Sequence, residues 1–289
     1  MIERSKKIPF GLMLTIPGFI IIIFAYIFPI FNTIYKSFFK RVGYELVFVG
    51  LEGYLEIPKV IPYIQLIIQN TILYIVAYIF LTYWLGMIAA LVLNEKFRGR
   101  GLFRAIILLP WAIPGVVTAT IFTWLFDPTY GLANDILAKL GLPAINWLTD
   151  PNIALCTVIL VGVWGGIPFT TLILLAGLGS ISPELYDQAK VDGAGSWVRF
   201  RHITLPQLKG VSAIVILLQV LWSLGTFESV LIMTRGMPLH RSEIIGYTLW
   251  ITTFRYLNFE QGYAITVLLF MIAAIIISLY LSLRKVGAS

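Results

Sequence analysis

Residues 183–206 read PELYDQAKVDGAGSWVRFRHITLP and form a polar, charged island between two long apolar stretches. The chain around this island is 59% hydrophobic and 12% charged, and its mean hydropathy is +0.90. Soluble domains carry roughly 25% charged residues, so the composition indicates a protein whose solvent is the lipid bilayer. The island therefore separates two predicted membrane spans and must itself lie outside the hydrocarbon region.

Outward from the island, apolar stretches long enough to cross a membrane recur along the chain. A helix needs about 20 apolar residues to cross a hydrocarbon core ~30 Å thick. Six stretches qualify when the fifth is continued past Glu228. The sequence predicts one membrane domain over residues 1–289, with helices at about 8–35, 64–94, 104–126, 152–178, 208–234 and 261–284.

Basic residues concentrate in alternate connections between the predicted helices. Because cytoplasmic loops are enriched in Lys and Arg, this pattern predicts that both termini are cytoplasmic and that external loops lie near 36–62, 127–151 and 235–261. The net charge of +7 then reflects topology, and no nucleic-acid partner is expected. The residues on the predicted cytoplasmic side are Arg4, Lys6, Lys7, Lys96, Arg98, Arg100, Arg104, Lys190, Arg199, Arg201, Lys209, Arg284 and Lys285.

Two of the predicted helices contain residues that disturb helical backbone. Pro110 and Pro114 lie about one turn apart in the third helix and predict a bend or an irregular start there. The fourth helix contains Gly162, Gly165 and Gly166. These glycines predict either close helix packing or a loosened backbone beside a substrate cavity, and the pattern alone leaves both open.

The island has the local signals of two short helices joined by a glycine hinge. Ser182 is a predicted N-cap for a helix whose first residue is Pro183. Residues 193–195, Gly-Ala-Gly, end that helix, because glycine readily adopts the backbone angles of a sharp turn. Ser196 is a predicted cap for a second helix, which residues 204–206, Thr-Leu-Pro, are expected to stop. Such a segment suits the docking of a soluble protein better than contact with anionic headgroups, since its first helix carries acidic residues.

The island resembles the EAA loop, the signature of permease subunits of binding-protein-dependent ABC importers. The resemblance rests on residues 187–194, DQAKVDGA, followed by 203–206, ITLP. Asp-Gln-Ala stands where the family has Glu-Ala-Ala. Residues 94–104, 109–114, 145–148 and 234–238 are similar to carbohydrate permeases of the maltose/trehalose and glycerol-phosphate type, with Met237 where that family usually has glycine.

The resemblance implies a fold and a set of partners. The fold is an all-α membrane protein of six transmembrane helices, with a cytoplasmic coupling-helix loop (182–206) between helices four and five. The chain would be a multi-pass subunit of the cytoplasmic (inner) membrane, paired with a second permease in a heterodimer. Two ATPase subunits and an extracytoplasmic sugar-binding protein would complete the importer.

The chain itself is expected to be neither an enzyme nor a metal protein. It contains no Gly-Lys pair and hence no phosphate-binding loop of the Walker type, so we expect it to bind no cofactor. ATP and Mg²⁺ would be used by the ATPase subunits. The single cysteine, Cys156, excludes an intrachain disulfide and a cysteine metal site.

The resemblance also assigns site residues. The residues expected to couple to the ATPase are Glu184, Tyr186, Asp187, Ala189, Asp192, Gly193 and Ala194. The residues expected to contact substrate are Gly162, Gly165, Gly166 and Phe169 on helix four, and Gln219, Trp222, Ser223 and Thr226 on helix five. Hydroxyl and amide groups beside an aromatic face are the groups that sugar recognition requires.

The expected function is ATP-driven sugar import by alternating access. A disaccharide or malto-oligosaccharide such as maltose or trehalose is the first expectation, and glycerol-phosphate or another polyol is the second. A third hypothesis for the function is an ion-coupled secondary transporter. It is disfavoured because the halves show no repeat and Glu228 is the one plainly intramembrane charge in the sequence.

Overall fold

The computed structural model describes residues 10–286, and side chains within residues 14–282. Arg4, Lys6 and Lys7 lie outside the described residues, as do the side chains of Arg284 and Lys285. The predicted orientation of the termini therefore stays a prediction. The chain divides into two compact units, residues 1–62 with 251–272 and residues 63–250 with 273–289.

The first unit begins with a membrane span and an unpredicted β-hairpin. Helices α1 (Phe10–Ile22) and α2 (Phe28–Lys36) join through a π-helical turn at Ile23–Ile27. Strands β1 (Phe39–Val42) and β2 (Glu45–Phe48) then pair antiparallel. The tight turn is possible because Gly43 adopts a φ of +64°. Two single-turn helices follow, α3 (Glu52–Leu55) and α4 (Ile57–Val60).

Polar contacts hold the hairpin against the rest of the first unit. Lys40 Nζ pairs with the Glu56 carboxylate at 3.2 Å, and the backbone N–H of Arg41 donates to the carboxylate of Glu260. Gln261 Nε2 donates to the carbonyl of Gly53 at 3.2 Å. The first predicted external loop is thus ordered structure.

The second unit opens with a long helix followed by a broken one. Helix α5 (Ile64–Asn94) matches the predicted span, whereas α6 (Arg100–Ala112) and α7 (Gly115–Leu125) replace the single predicted helix 104–126. The chain bends by 96° at the break between α6 and α7. The expected bend is therefore confirmed, and it divides the single predicted helix into two. Ile113 precedes Pro114 and is extended, as a residue before proline prefers.

The next helices follow the prediction closely. Helix α8 (Leu132–Lys139) lies in the second predicted external loop. Helix α9 (Ala154–Gly179) is the fourth span and packs along α5. A Cβ at Gly86 of α5 would lie 2.6 Å from the Thr170 side chain of α9, so glycine permits this close approach.

The island folds into α10 (Pro183–Val191) and α11 (Ser196–Arg199). Contrary to the prediction, residues 204–206 do not stop the second short helix. It continues through a π-helical turn, Phe200–Thr204, into α12 (Leu205–Gly225), so one helix runs over Ser196–Gly225. Pro206 is tolerated because it lies in the first turn of α12, next to a π-helical turn that already departs from the α-helical hydrogen-bond pattern.

The fifth predicted helix, 208–234, is also wrong at its outer end. Thr226 is extended, and a separate helix α13 (Glu228–Met233) follows. The Thr226 carbonyl lies against Gly246, where a side chain would collide with it. Helices α14 (Ile245–Trp250) and α15 (Phe259–Val286) complete the chain, with a π-helical turn at Ile251–Arg255.

The helical membrane fold is confirmed, with the hairpin as an addition to it. Among the described residues, five helices are long and apolar enough to cross a membrane, or six when the bent pair α6–α7 counts as one span. Helix α15 lies within two residues of the predicted 261–284 at each end. The sequence pattern therefore located the spans and the bend in the third, and it missed the break at Thr226 in the fifth.

Candidate functional site

A cavity of about 220 Å³ lies in the second unit, among α5, α6, α7, α9 and α12. Three aromatic side chains form one wall. The Phe169 and Trp222 rings meet edge to face at 4.6 Å, and Trp111 lies 6.4 Å from Phe169. Thr118, Thr226 and Ser229 add hydroxyl groups. Among the described residues, no charged side chain lines this cavity.

Six of the eight predicted substrate residues line the cavity. They are Gly162, Gly165, Gly166, Phe169, Trp222 and Thr226. The structure places Gln219 and Ser223 elsewhere, on the buried side of α12. Gln219 is 1% exposed and donates from Nε2 to Thr170 Oγ1 at 2.6 Å, while the Ser223 hydroxyl donates to the carbonyl of Val220. These two side chains bind protein groups and do not face the open space.

The glycines of α9 divide between the two roles that their spacing left open. A Cβ at Gly162 would lie 2.6 Å from the Tyr74 hydroxyl, and one at Gly166 would lie 2.6 Å from the Tyr78 hydroxyl. Both glycines therefore make room for a neighbouring side chain. At Gly165 a Cβ would meet nothing within 4 Å, so this glycine borders open space.

Tyr74 and Tyr78 also line the cavity, and the sequence reading did not select them. They lie one turn apart on α5, and their rings stack at 5.8 Å. Both are at least nine-tenths buried. A signal was present, because two tyrosines at i and i+4 of an apolar helix share one face. Trp111, Thr118 and Ser229 were missed as well.

Both helix breaks border this cavity. The α6–α7 break contributes Ile113 and Gly115, and the break after α12 contributes Thr226. Irregular backbone at membrane depth is tolerated where protein or a water-filled cavity covers it. The position of both breaks beside the cavity agrees with this rule.

The coupling loop (182–206) has well-formed helix caps. The Ser182 hydroxyl accepts from the backbone N–H of Glu184 at 3.3 Å, which confirms the predicted cap. At the other end Gly193 has a φ of +79°. Its N–H donates to the carbonyl of Lys190, and the N–H of Ala194 donates to that of Ala189 at 2.8 Å. This is the Schellman pattern, which favours glycine at the left-handed position.

The predicted cap at Ser196 is wrong. Gly195 occupies the N-cap position of α11 and makes no side-chain cap bond, because it has no side chain. Ser196 is the first helical residue, and its hydroxyl accepts from Arg199 Nη2 at 3.2 Å. Glycine is an acceptable N-cap residue, so α11 begins without the expected hydroxyl.

The predicted coupling residues lie mostly on the surface of the loop. Glu184, Asp187, Asp192 and Gly193 are exposed, and Ala189 and Ala194 are half-buried. The Tyr186 hydroxyl pairs with Thr204 Oγ1 at 3.0 Å and so joins α10 to the start of α12. Asp187 pairs with Lys190 at 2.8 Å within α10.

The loop rests on a packed core. Met87, Leu174, Leu178 and Leu208 are buried together where α5, α9 and α12 meet, and Phe200 and Leu205 pack against them. The helix over Ser196–Gly225 has 30 residues and so measures about 45 Å. It contains both the end of the loop and the cavity residue Trp222, so a movement at one reaches the other through a single helix.

Comparison with known proteins assigns the chain. Residues 82–287 match the family described as binding-protein-dependent transport system inner membrane component. The chain belongs to this family of ABC permeases. It is 35% identical over 286 residues to a probable ABC transporter permease of Pyrococcus horikoshii, covering 96% of this chain and 97% of that one.

Two further similarities concern a named relative and a solved structure. It is 33% identical over 289 residues to the trehalose/maltose transport system permease protein MalF of Thermococcus litoralis, covering 98% of this chain and 95% of that protein. Its fold matches a chain in the crystal structure of a bacterial ABC transporter that imports the acidic polysaccharide alginate. The TM-score is 0.83 at 21% identity, over 95% of this chain and 94% of that chain. At that identity the structural match concerns the fold alone.

Proposed function

We propose that this permease translocates a neutral sugar, a disaccharide or malto-oligosaccharide such as maltose or trehalose, by alternating access. The observation that carries the proposal is the wall of the cavity. It combines the aromatic faces of Trp111, Phe169 and Trp222 with hydroxyl groups. Aromatic rings can pack against the C–H face of a pyranose, and hydroxyl groups exchange hydrogen bonds with its substituents.

The lack of charge in the cavity favours a neutral sugar over a phosphorylated one. Phosphate is bound most strongly by Arg or Lys in charge-assisted hydrogen bonds. Among the described residues, the lining offers neither. The name of the Thermococcus relative agrees with a neutral disaccharide, and membership of a binding-protein-dependent family argues against an ion-coupled carrier.

The size of the cavity favours a site completed by a second permease. Its volume of about 220 Å³ is below the ~300–1,000 Å³ of ordinary ligand sites. A disaccharide would need additional space and contacts. We propose that a second permease supplies them in a heterodimer, with the cavity closed around the sugar between the two subunits.

The coupling loop is the proposed contact with the ATPase. Its caps and the Tyr186–Thr204 hydrogen bond fix the short helix α10 against α12, so that docking forces would move helices as rigid bodies. Two ATPase subunits, separate from this chain, would bind ATP and Mg²⁺. The proposed coupling residues are Glu184, Tyr186, Asp187, Ala189, Asp192, Gly193 and Ala194.

The remaining parts of the proposal concern placement. The permease would lie in the cytoplasmic membrane with both termini and the coupling loop inside. An extracytoplasmic binding protein would deliver the sugar to the outer side, where residues 36–62, 127–151 and 235–261 would lie.

Sugar competition tests the substrate class. The complete importer is reconstituted in proteoliposomes with ATP inside, and uptake of labelled maltose and of trehalose is measured. We expect unlabelled neutral disaccharides to compete and glycerol 3-phosphate not to compete. Competition by the phosphorylated compound, with no uptake of either disaccharide, would contradict the proposed class.

A further inference from the structure

A second and larger opening, of about 950 Å³, lies in the second unit beside the coupling loop. Its walls are the last three turns of α5 and the segment from Ser196 to Leu205. We call it the α5–α11 groove. The sugar cavity is lined by Tyr74 and Tyr78 of α5, whereas this groove starts at Trp84, so the two openings use different parts of the helix.

One end of the groove is polar and basic. Lys190, Arg199 and Arg201 line it, with Glu95 as the acidic residue among the described lining. Lys190 is already paired with Asp187, and Arg199 donates to the Ser196 hydroxyl. Within the described residues, Arg201 has no ion-pair or side-chain hydrogen-bond partner. The groove therefore presents positive charge that the chain does not neutralise.

The other end of the groove is apolar. Trp84, Ile88 and Leu91 line it from α5, and Ile88 is 57% exposed. From Asn94 at the polar end to Trp84 at the apolar end the helix advances ten residues, or about 15 Å. This is half of a hydrocarbon core ~30 Å thick, and so equals the depth of one leaflet.

The occupant must match both ends of the groove. A segment of a soluble protein would complement the basic end, but it would not extend about 15 Å along an apolar wall. A neutral sugar matches neither end. An amphiphile with an anionic head and a hydrocarbon tail matches both, and Trp197, which is 70% exposed at the mouth, is the residue type enriched at the headgroup level.

We infer that the α5–α11 groove binds an anionic glycerophospholipid, with its phosphate beside Arg199 and Arg201 and an acyl chain along Trp84 and Ile88. The lipid would belong to the cytoplasmic leaflet if the coupling loop lies inside, as the proposed topology has it. The binding site itself does not depend on which sugar is carried. A lipid there would contact both α5 and the coupling loop, so the anionic lipid content of the membrane would affect coupling.

Lipid retention measured by native mass spectrometry tests the site. The full-length chain is purified in detergent and mixed with phosphatidylglycerol or phosphatidylcholine. We expect a preference for phosphatidylglycerol in the wild type. In the variant Arg199→Gln/Arg201→Gln, the ratio of retained phosphatidylglycerol to retained phosphatidylcholine should fall about tenfold, because two basic groups near the headgroup are removed.

A matched pair of charges provides the control. Lys96 and Arg98 follow α5 directly and do not line the groove. Lys96→Gln/Arg98→Gln makes the same change in net charge and should keep the preference. An equal loss in both variants would mean general surface attraction and would overturn the site.

The apolar end is tested by filling it. Ile88→Trp places a larger side chain at an exposed position and should reduce retention of both lipids, with little cost to folding. Unchanged retention in this variant, together with weaker association of the second permease, would mean that a protein helix occupies the groove, and would overturn the inference. Sugar uptake by the wild type separates this result from the proposed function, because that function fails if the wild type shows no ATP-dependent uptake of a neutral disaccharide, whatever its lipid retention.

Discussion

The coupling loop and the cavity proposed to bind sugar are built in opposite ways. The loop is exposed and depends on short-range contacts, from the Ser182 cap to the Tyr186–Thr204 bond. The cavity brings together side chains from distant parts of the chain, such as Tyr74 beside Gly162 and Phe169 beside Trp222. Among the described helices, Ser196–Gly225 is the one that contributes to both. Changes in the loop should therefore alter coupling with the cavity intact, and changes in the cavity should alter affinity with coupling intact.

The largest effect is expected at Gly193. Its φ of +79° is costly for a β-branched residue, and a Cβ there would meet nothing within 4 Å, so the cost is in the backbone. Gly193→Val should leave the protein in the membrane but reduce sugar uptake and sugar-stimulated ATP hydrolysis to background. Both are measured in proteoliposomes containing the complete importer.

A matched variant separates backbone geometry from side-chain size. Asparagine adopts left-handed backbone angles more readily than other non-glycine residues. Gly193→Asn should therefore keep most of the uptake. Equal loss in the Asn and Val variants would mean that the surface, and not the turn, is what the ATPase recognises.

The next effect is expected in the cavity wall. Trp222→Ala removes an aromatic face and should raise the KM for sugar uptake about tenfold, with the maximal rate of ATP hydrolysis retained. The comparison variant is Gln219→Leu, on the same helix but directed at Thr170. It should leave the KM unchanged. A similar rise in both variants would place Gln219 in the site after all.

A smaller effect is expected from the glycines of α9. Gly166→Ala must displace the Tyr78 hydroxyl, whereas Gly165→Ala enters open space. Overpacking of this kind costs roughly 1–3 kcal/mol. The apparent melting temperature of the Gly166 variant in detergent should fall by about 5 °C, and that of the Gly165 variant should stay near the wild type. The reverse order would contradict the division of roles between these glycines.

The smallest effect is expected at Asp187. Its ion pair with Lys190 is exposed, with side chains 68% and 58% accessible, and such pairs contribute little. Asp187→Asn should change uptake by less than about twofold, as should Asp187→Glu, which restores the residue usual in the family. A large loss in the Asn variant alone would mean that the proposed contact of Asp187 with the ATPase requires the carboxylate charge, and not only a polar side chain of this shape.

The two regions also differ in how well the sequence predicts them. The first helix of the loop and its glycine turn follow from neighbouring residues, because caps and left-handed positions are local properties. The error at Ser196 arose because glycine, although a weaker N-cap residue than serine, is also accepted there, and Gly195 occupies the position. The error at residues 204–206 arose because proline in a first turn does not end a helix that reaches it through a π-helical turn.

The cavity was predicted only in part, because its composition depends on which faces of several helices meet. Gln219 and Ser223 share a helix with Trp222, but they lie on the face that packs against other helices. The spacing of Tyr74 and Tyr78 puts them on one face of α5, but only the packing of α5 against α9 shows that this face lines the cavity. At the break, the Thr226 carbonyl lies against Gly246, which is twenty residues further along the chain, so neighbouring residues alone do not reveal this contact.

The proposal that this permease imports sugar with ATP is tested most directly by the energy source of uptake. Proteoliposomes containing this permease, its partner permease, the ATPase subunits and the binding protein are supplied with labelled maltose or trehalose. We expect uptake that requires internal ATP and the binding protein and is unchanged when proton and sodium gradients are collapsed. Uptake that persists without ATP and follows an ion gradient would contradict it.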